Sequence, residues 1–318
     1  MLNFISYWEE VMRILTFDRL YDKNREDLYN FIINLDENYN RTLEDMIKLF
    51  ESEIFNYGKN VFAIFEDGDI KGSISAITRE VKISGDGYIT DIYIAEKTLQ
   101  KNPNILFLLM SKAEDACDKA FSKRIILGIR NKIIYLSPYI ESYKFKYIHD
   151  AIIMKYDFDK LSQLQNNIEV EFIPLTEKNI SEFRIIHNEA FKGTPNAGTL
   201  SEEEVENFIN QYKGNEELIG IVKDNGVNVG IYMLADIDNE GWIDNIGVLN
   251  NSRRNGIGKA IVKKSIELLK KRNVIEIKLL VISSNEVAYN FYNKYGFKEE
   301  LVFSKWFEKK VEKGIDKI

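Results

Sequence analysis

Residues 253–264 read RRNGIGKAIVKK, two arginines and two glycines set at the start of a strongly helical stretch. The first N–H groups of a helix have no partner inside it, and they sit at the positive end of the helix dipole. Glycines there let a bound group approach the backbone closely. Gly256 and Gly258, with Arg253 and Arg254 beside them, therefore read as an anion site suited to phosphates. The plainer reading is a glycine-rich turn with solvated arginines. Two familiar phosphate motifs do not fit. A dinucleotide fingerprint needs Gly or Ala where Ile261 stands, and a Walker A loop needs Ser or Thr where Ala260 stands.

The elements that hold this stretch follow from periodicity. Before it, GWIDNIGVLNN (241–251) reads as a strand, with Trp242, Asp244, Ile246 and Val248 on one side and Ile243, Asn245, Gly247 and Leu249 on the other. After it, a helix carries Ile257, Gly258, Ile261, Val262, Ser265, Ile266, Leu268 and Leu269 on one arc and its lysines on the other. The same pattern of elements occurs twice along the chain. VFAIFEDGDIKGSISAI (61–77) rhymes with LIGIVKDNGVNVGIYML (218–234), each a hairpin with a turn at Asp67-Gly68 or Asn225-Gly226. GYITDIYI (87–94) rhymes with GWIDNIGV (241–248), YKFK (143–146) with YGFK (295–298), and DKNREDLYNFI (22–32) with EKNISEFRIIH (177–187). Four matches in order predict a duplicated domain, with residues 1–162 and 163–318 as the halves and a linker within 160–171. Hairpins mixed with crossover helices predict a mixed α/β fold, a mostly antiparallel sheet flanked by helices.

Composition narrows the function. Apolar content of 45% and charged content of 29% fit globular domains, and a net charge of −7 argues against nucleic acid or anionic membrane as the main partner. A local basic patch remains compatible with that balance. One cysteine excludes an intrachain disulfide or thiolate cluster, and His149 and His187 are too isolated for a zinc site, so no metal is expected and both histidines read as structural, at the surface or half-buried. The N-terminal MLNFISYWEEVMRIL has no basic start or cleavage site, and the longest apolar runs fall far short of a membrane span, which predicts a cytoplasmic protein.

VLNNSRRNGIG (248–258) resembles, spacing for spacing, the acetyl-CoA signature of the GNAT superfamily of N-acetyltransferases, Arg/Gln-x-x-Gly-x-Gly/Ala after a strand, with Asn250 where proline is common. NEVAYNFYNKYGF (285–297) is similar to the family's Asn-x-x-Ala-x-x-x-Tyr-x-x-x-Gly-Phe element. The resemblance implies tandem GNAT-like domains with the motif intact only in the second half. It implies that pantetheine lies in an opening between two strands against Ile246, Gly247 and Val248. The pyrophosphate would be held by N–H groups from Arg254 through Asn255, Gly256, Ile257 and Gly258 to Lys259, with Arg253 or Arg254 near a phosphate and Asn285 on the cofactor.

It further implies that Tyr292 protonates the departing thiolate, since acyl transfer to an amine passes through an oxyanion-bearing intermediate and needs a proton donor. Asp244 is the candidate base, acting directly or through water, with Tyr289 and Glu189 as weaker alternatives and Asn245 at most orienting. In the first half, Leu99-Gln100 and Asn102-Pro103-Asn104 stand where the arginines and glycines would be, and Ile140 falls near the tyrosine position, so that half is expected to be degenerate and to shape the acceptor pocket. The segment 190–208 joins two helices where the family forms the acceptor pocket; its glutamates read either as a lure for a cationic amine or, more plainly, as a capped helix started by Ser201 and Glu204. The expected function is acetyl transfer from acetyl-CoA to a primary amine of a small molecule or peptide. A non-catalytic acyl-CoA-binding or scaffold protein is the alternative.

Overall fold

The computed structural model describes residues 12–37, 39, 41–159, 168–194 and 198–311. The expected linker therefore falls largely outside the described residues, as does Pro195 of the acceptor-side segment. The chain divides into two compact units, residues 1–149 with 304–318, and residues 150–303. These units are not contiguous halves: the second is inserted into the first.

The first unit runs β1 (Met12–Thr16), α1 (Asp22–Leu35), α2 (Leu43–Phe50), β2 (Val61–Glu66), β3 (Asp69–Ile77), α3 (Val81–Ser84), β4 (Asp86–Ile94), α4 (Glu96–Lys101), α5 (Asn104–Lys119), β5 (Arg124–Arg130) and α6 (Ser137–Ser142). Strand β6 (Lys146–Tyr156) then carries the chain into the second unit. There follow β7 (Glu171–Pro174), α7 (Ile180–Ala190), α8 (Glu202–Gln211), β8 (Ile219–Asp224), β9 (Val227–Ile237), β10 (Glu240–Val248), α9 (Ile257–Lys271), β11 (Glu276–Ile282) and α10 (Glu286–Lys294). The long β12 (Phe297–Lys310) begins in the second unit and ends in the first.

Both units use one plan. Strands β1 to β4 pair antiparallel in sequence order, as do β7 to β10. The next neighbour is parallel in each: β5 beside β4, and β11 beside β10. A parallel neighbour requires a crossover, which α5 and α9 supply. The hairpin turns match the sequence reading, with Asp67, Gly68, Asn225 and Gly226 all at positive φ. Each sheet has helices on both faces. In the second unit, α9 buries Ile257, Ile261, Ile266 and Leu269 against one face, while α7 and α8 bury Phe183, Ile186 and Val205 against the other.

The outer neighbour of each parallel strand comes from a distant part of the chain. Residues 151–155 of β6 pair antiparallel with β11, and residues 304–310 of β12 pair antiparallel with β5. Ile152, Met154 and Tyr156 thereby enter the core built on α9. A fragment starting at residue 163 lacks all three and bares the edge of β11. At about 2–5 kcal/mol for each large side chain removed from a core, the loss approaches a domain's whole stability of roughly 5–15 kcal/mol. In urea titrations followed by circular dichroism, 163–318 is expected to show no cooperative transition, whereas 150–318 retains one. Equal transitions for the two fragments would contradict this assignment.

Candidate active site

The site of the second unit begins where two strands part. β10 and β11 pair over Glu240–Ile243 and Glu276–Leu279. Beyond that, Leu280–Ile282 stay paired with β6 and Asn245–Val248 stay paired with β9. Among the described residues, the backbone edge of 244–248 facing β11 has no strand partner, so it lines an opening.

A β-bulge marks the point of divergence. Ile243 faces Leu234 and Asn245 faces the adjacent Met233, leaving Asp244 as the extra residue. The bulge corrects the strict alternation read from sequence. A Cβ on Gly241 would meet Leu269 and Val274, and Ile243 packs in the same α9-side core. Past the bulge it is Ile246 and Val248 that pack there, while a Cβ on Gly247 would meet Ala190 and Phe191 on the opposite face. One inserted residue has exchanged the faces of the strand.

Asp244 itself is reachable by solvent but ringed by protein, and the resulting loss of hydration raises its pKa from 3.8 to about 6. Tyr212, just past the end of α8, is raised chiefly by burial and secondarily by the charge of Asp244, which puts its phenol in the carboxylate's field. Tyr212 escaped the sequence reading because no motif carries it; its nearness to Asp244 is created by the fold. Asn245 turns its amide toward the Met233 sulfur, 3.8 Å away.

The turn leading into α9 has Arg254 at φ 66° and Gly256 at φ 78°, both in the left-handed region. The first intrahelical bond runs from Ala260 N–H to the Gly256 carbonyl at 3.0 Å, so the N–H groups of Ile257, Gly258 and Lys259 precede the ladder. Arg254, Asn255 and Gly256 are exposed, and Ile257 anchors the turn in the core. A Cβ on Gly258 would come no nearer than 3.7 Å to Phe291, an ordinary contact. The protein's own packing does not demand a glycine there. Lys259 Nζ lies 4.9 Å from the centre of the Tyr295 ring.

Arg253, exposed at the start of the turn, is already held by the protein through two of its nitrogens. Its Nε donates to the Val248 carbonyl at 2.9 Å and its Nη2 to the Ala190 carbonyl at 2.8 Å, tying the end of β10 to the end of α7. Asn285 Oδ1 accepts from Ala288 N–H at 3.2 Å and caps α10, leaving its Nδ2 outside the cap. Tyr292 packs edge-on against Phe291 and Phe297, and burial pushes its phenol up to about 12. Of the weaker candidates, the Tyr289 hydroxyl donates to Glu299, and Glu189 is exposed on α7.

On the acceptor side, Ser201 and Glu204 form the capping box, while Glu202 accepts from Ser181. Asn188 pins the loop before α8 by accepting from Leu200 N–H and donating to the Leu200 carbonyl. His187 is more buried than expected, at 7% exposed, and packs on Phe191; burial lowers its pKa. His149, 4% exposed beside Trp306, is likewise buried. No group of three or more potential metal ligands occurs among the described residues.

The first unit has the same parting of strands. β4 and β5 pair only over 86–89 and 124–127, and β4 also bulges, opposite Ser73–Ser75 of β3. Its bulge carboxylate, Asp91, accepts from the hydroxyls of Ser75 and Thr90 at 2.9 and 3.0 Å. Tyr135 donates to the Ile94 carbonyl at 2.5 Å, and Trp306 lies over Gly128. Pro103 immediately precedes α5.

Two strands thus part beside a glycine-bearing helix start. Residues 181–297 match the profile of the acetyltransferase (GNAT) family, and this segment is a domain of that family. The chain is 27% identical over 147 residues to a spermidine N(1)-acetyltransferase of Thermoplasma acidophilum, spanning 42% of this chain and 91% of that protein. It is 37% identical over 75 residues to an N-alpha-acetyltransferase of Sulfurisphaera tokodaii, 23% of this chain and 45% of that one. In fold it is similar to a GCN5-related N-acetyltransferase from Sphaerobacter thermophilus, with a TM-score of 0.67 and 16% identity over 96% of this chain and 97% of that one. A tandem GNAT protein from the clavulanic acid biosynthesis pathway gives a TM-score of 0.62 at 7% identity, covering 95% and 99% of the two chains. The protein is therefore an acyltransferase with tandem GNAT-like domains, transferring acetyl to an amine. The GNAT family, matched here over residues 181–297, uses acetyl-CoA. No helix among the described residues is long and apolar enough to cross a membrane.

Two measurements check this geometry. Arg253→Lys cannot reach both carbonyls as a fork does, and losing these charge-assisted bonds should cost about 1–3 kcal/mol in the urea midpoint without cofactor; no change would mean that the clamp is idle. For Asp244, the native state holds a proton between pH 3.8 and about 6 that the unfolded state has lost, so stability falls as pH rises through that window. Asp244→Asn should flatten that slope in midpoints taken from pH 4 to 7.

Proposed function

We propose that the segment 163–318 carries catalysis, with the acetyl-CoA diphosphate held by main-chain N–H groups of residues 254–259 and the pantetheine arm laid against Ile246, Gly247 and Val248. The observation that carries this reading is the pairing of an unpartnered strand edge at 244–248 with a helix start whose Gly258 the fold itself does not require. A glycine kept where a Cβ would fit is explained by a ligand lying against the backbone.

Asp244 is the base. Above pH 6 its carboxylate is ionised and takes a proton from the acceptor ammonium, directly or through one water. The freed nitrogen attacks the thioester carbon, and collapse of the resulting oxyanion breaks the carbon–sulfur bond. Tyr292, held protonated by burial, gives its proton to the departing thiolate, and the second proton shed by the newly acylated nitrogen returns the phenolate to its phenol, directly or through solvent. Asn285 Nδ2 and the Lys259 ammonium support the cofactor. Arg253 acts by holding the opening in shape.

The acceptor is a small cationic amine, which the exposed carboxylate of Asp244 favours and to which the likeness to a spermidine acetyltransferase lends support. The first unit is a scaffold without cofactor: its bulge carboxylate is occupied by hydroxyls, its strand-end carbonyl by Tyr135, and its helix opens after a proline that has no N–H to give.

Acetyl-CoA turnover with a panel of amines, followed as released thiol, tests the assignment. Asp244→Asn and Tyr292→Phe should each lower kcat by about two orders of magnitude while leaving acetyl-CoA binding within a few-fold. Wild-type kcat/KM should rise to a plateau through pH 6, as the base loses its proton. Full activity in both variants would overturn these roles. Gly258→Ala should leave the melting temperature of the free protein unchanged or raised, yet remove most of the thermal shift given by acetyl-CoA.

A further inference from the structure

The first unit holds a cavity of about 610 Å³ that the acetyl-transfer chemistry does not use. It lies between the C-terminal half of α5 and the ends of β1, β2 and β3. Arg19, Lys59, Lys112 and Lys119 line it, against the single carboxylate of Asp115. Asp115 is already committed to Lys119 at 2.6 Å. Among the described residues, Arg19, Lys59 and Lys112 have no carboxylate within ion-pair distance. The chain has 50 acidic residues against 43 basic, so cations gathered around one cavity run against its overall charge. These cations are solvent-exposed, and an anion seated among them would gain from each of their fields.

The polar wall is also prepared. Asn60, 6% exposed, donates from Nδ2 to Thr78 Oγ1 at 3.1 Å. That bond uses the oxygen of Thr78 as an acceptor and leaves its O–H to donate elsewhere. Ile14 and Phe62 supply an apolar floor. The cavity is separate from the position in this unit that corresponds to the cofactor site. Lys112 lies eight residues into α5, roughly 12 Å along the axis from its N-terminus. The helix dipole contributes nothing attractive to an anion at this end, so the pull comes from side chains alone.

We propose that this cavity binds a diphosphate group, either free or as part of a nucleoside diphosphate, with Lys59, Lys112 and Arg19 neutralising it and the Thr78 hydroxyl donating to one of its oxygens. Titration calorimetry on the full-length protein at low salt, in the Gly258→Ala background that weakens the acetyl-CoA site, tests it with inorganic pyrophosphate in one arm and ADP in the other. One-site saturable binding is expected, at least tenfold weaker in Lys59→Gln/Lys112→Gln and unchanged in Lys82→Gln/Lys97→Gln, which removes the same charge elsewhere on the same unit. Equal affinities in the two arms point to free diphosphate, and tighter ADP points to the nucleoside form on the Phe62 floor. Thr78→Val should weaken binding several-fold with an unchanged circular dichroism spectrum. Absence of saturable heat in both arms, or equal losses in the two double variants, overturns the proposal.

Discussion

The parting of β10 from β11 is the constraint on which the second unit is organised. A parallel pair must diverge if the space between its strands is to be used. Here the divergence coincides with one inserted residue, Asp244. The insertion places a carboxylate at the mouth of the opening. It turns Ile246 and Val248 toward α9, and it sets Gly247 against Ala190 and Phe191. Arg253 then fastens the strand's end to α7 through two carbonyls. The helix start beyond it is thus fixed relative to a backbone edge that has no strand partner on the β11 side among the described residues.

The two units show how far side chains alone can change the surroundings of one strand opening. Both have the same hairpins, the same parallel neighbour and a bulge in the strand that precedes the crossover helix. In one, the bulge carboxylate is desolvated and has no hydroxyl donor among the described residues. In the other, two hydroxyls hold it, and a tyrosine occupies the strand-end carbonyl. The difference lies in a few side chains rather than in topology.

Much of this was legible in the sequence because it is local. Asp67-Gly68 and Asn225-Gly226 specify their turns by backbone preference, and the apolar arc of 257–269 specifies which side of α9 is buried. Gly256 and Gly258 mark the helix start by what they lack. The bulge was not legible, because one extra residue in an alternating strand leaves the apolar pattern intact while reversing its meaning. Nor was the direction of Arg253: sequence supplies a guanidinium, but only the packed ends of α7 and β10 decide what it meets. The strand pairings of 151–155 and 304–310 were equally hidden, since their partners lie far away along the chain and every β-prone segment looks alike to its neighbours.

Those pairings set an order on the making of the protein. The second unit is complete once residue 303 has emerged from the ribosome, but the strand that covers β5 arrives only with residues 304–310, roughly 170 residues after β5 itself and about 10–35 seconds later at ordinary elongation speeds. For that interval the nascent first unit carries a naked strand edge, a template for association with neighbouring chains. Translation speed across the second unit therefore becomes part of how safely the first one is built.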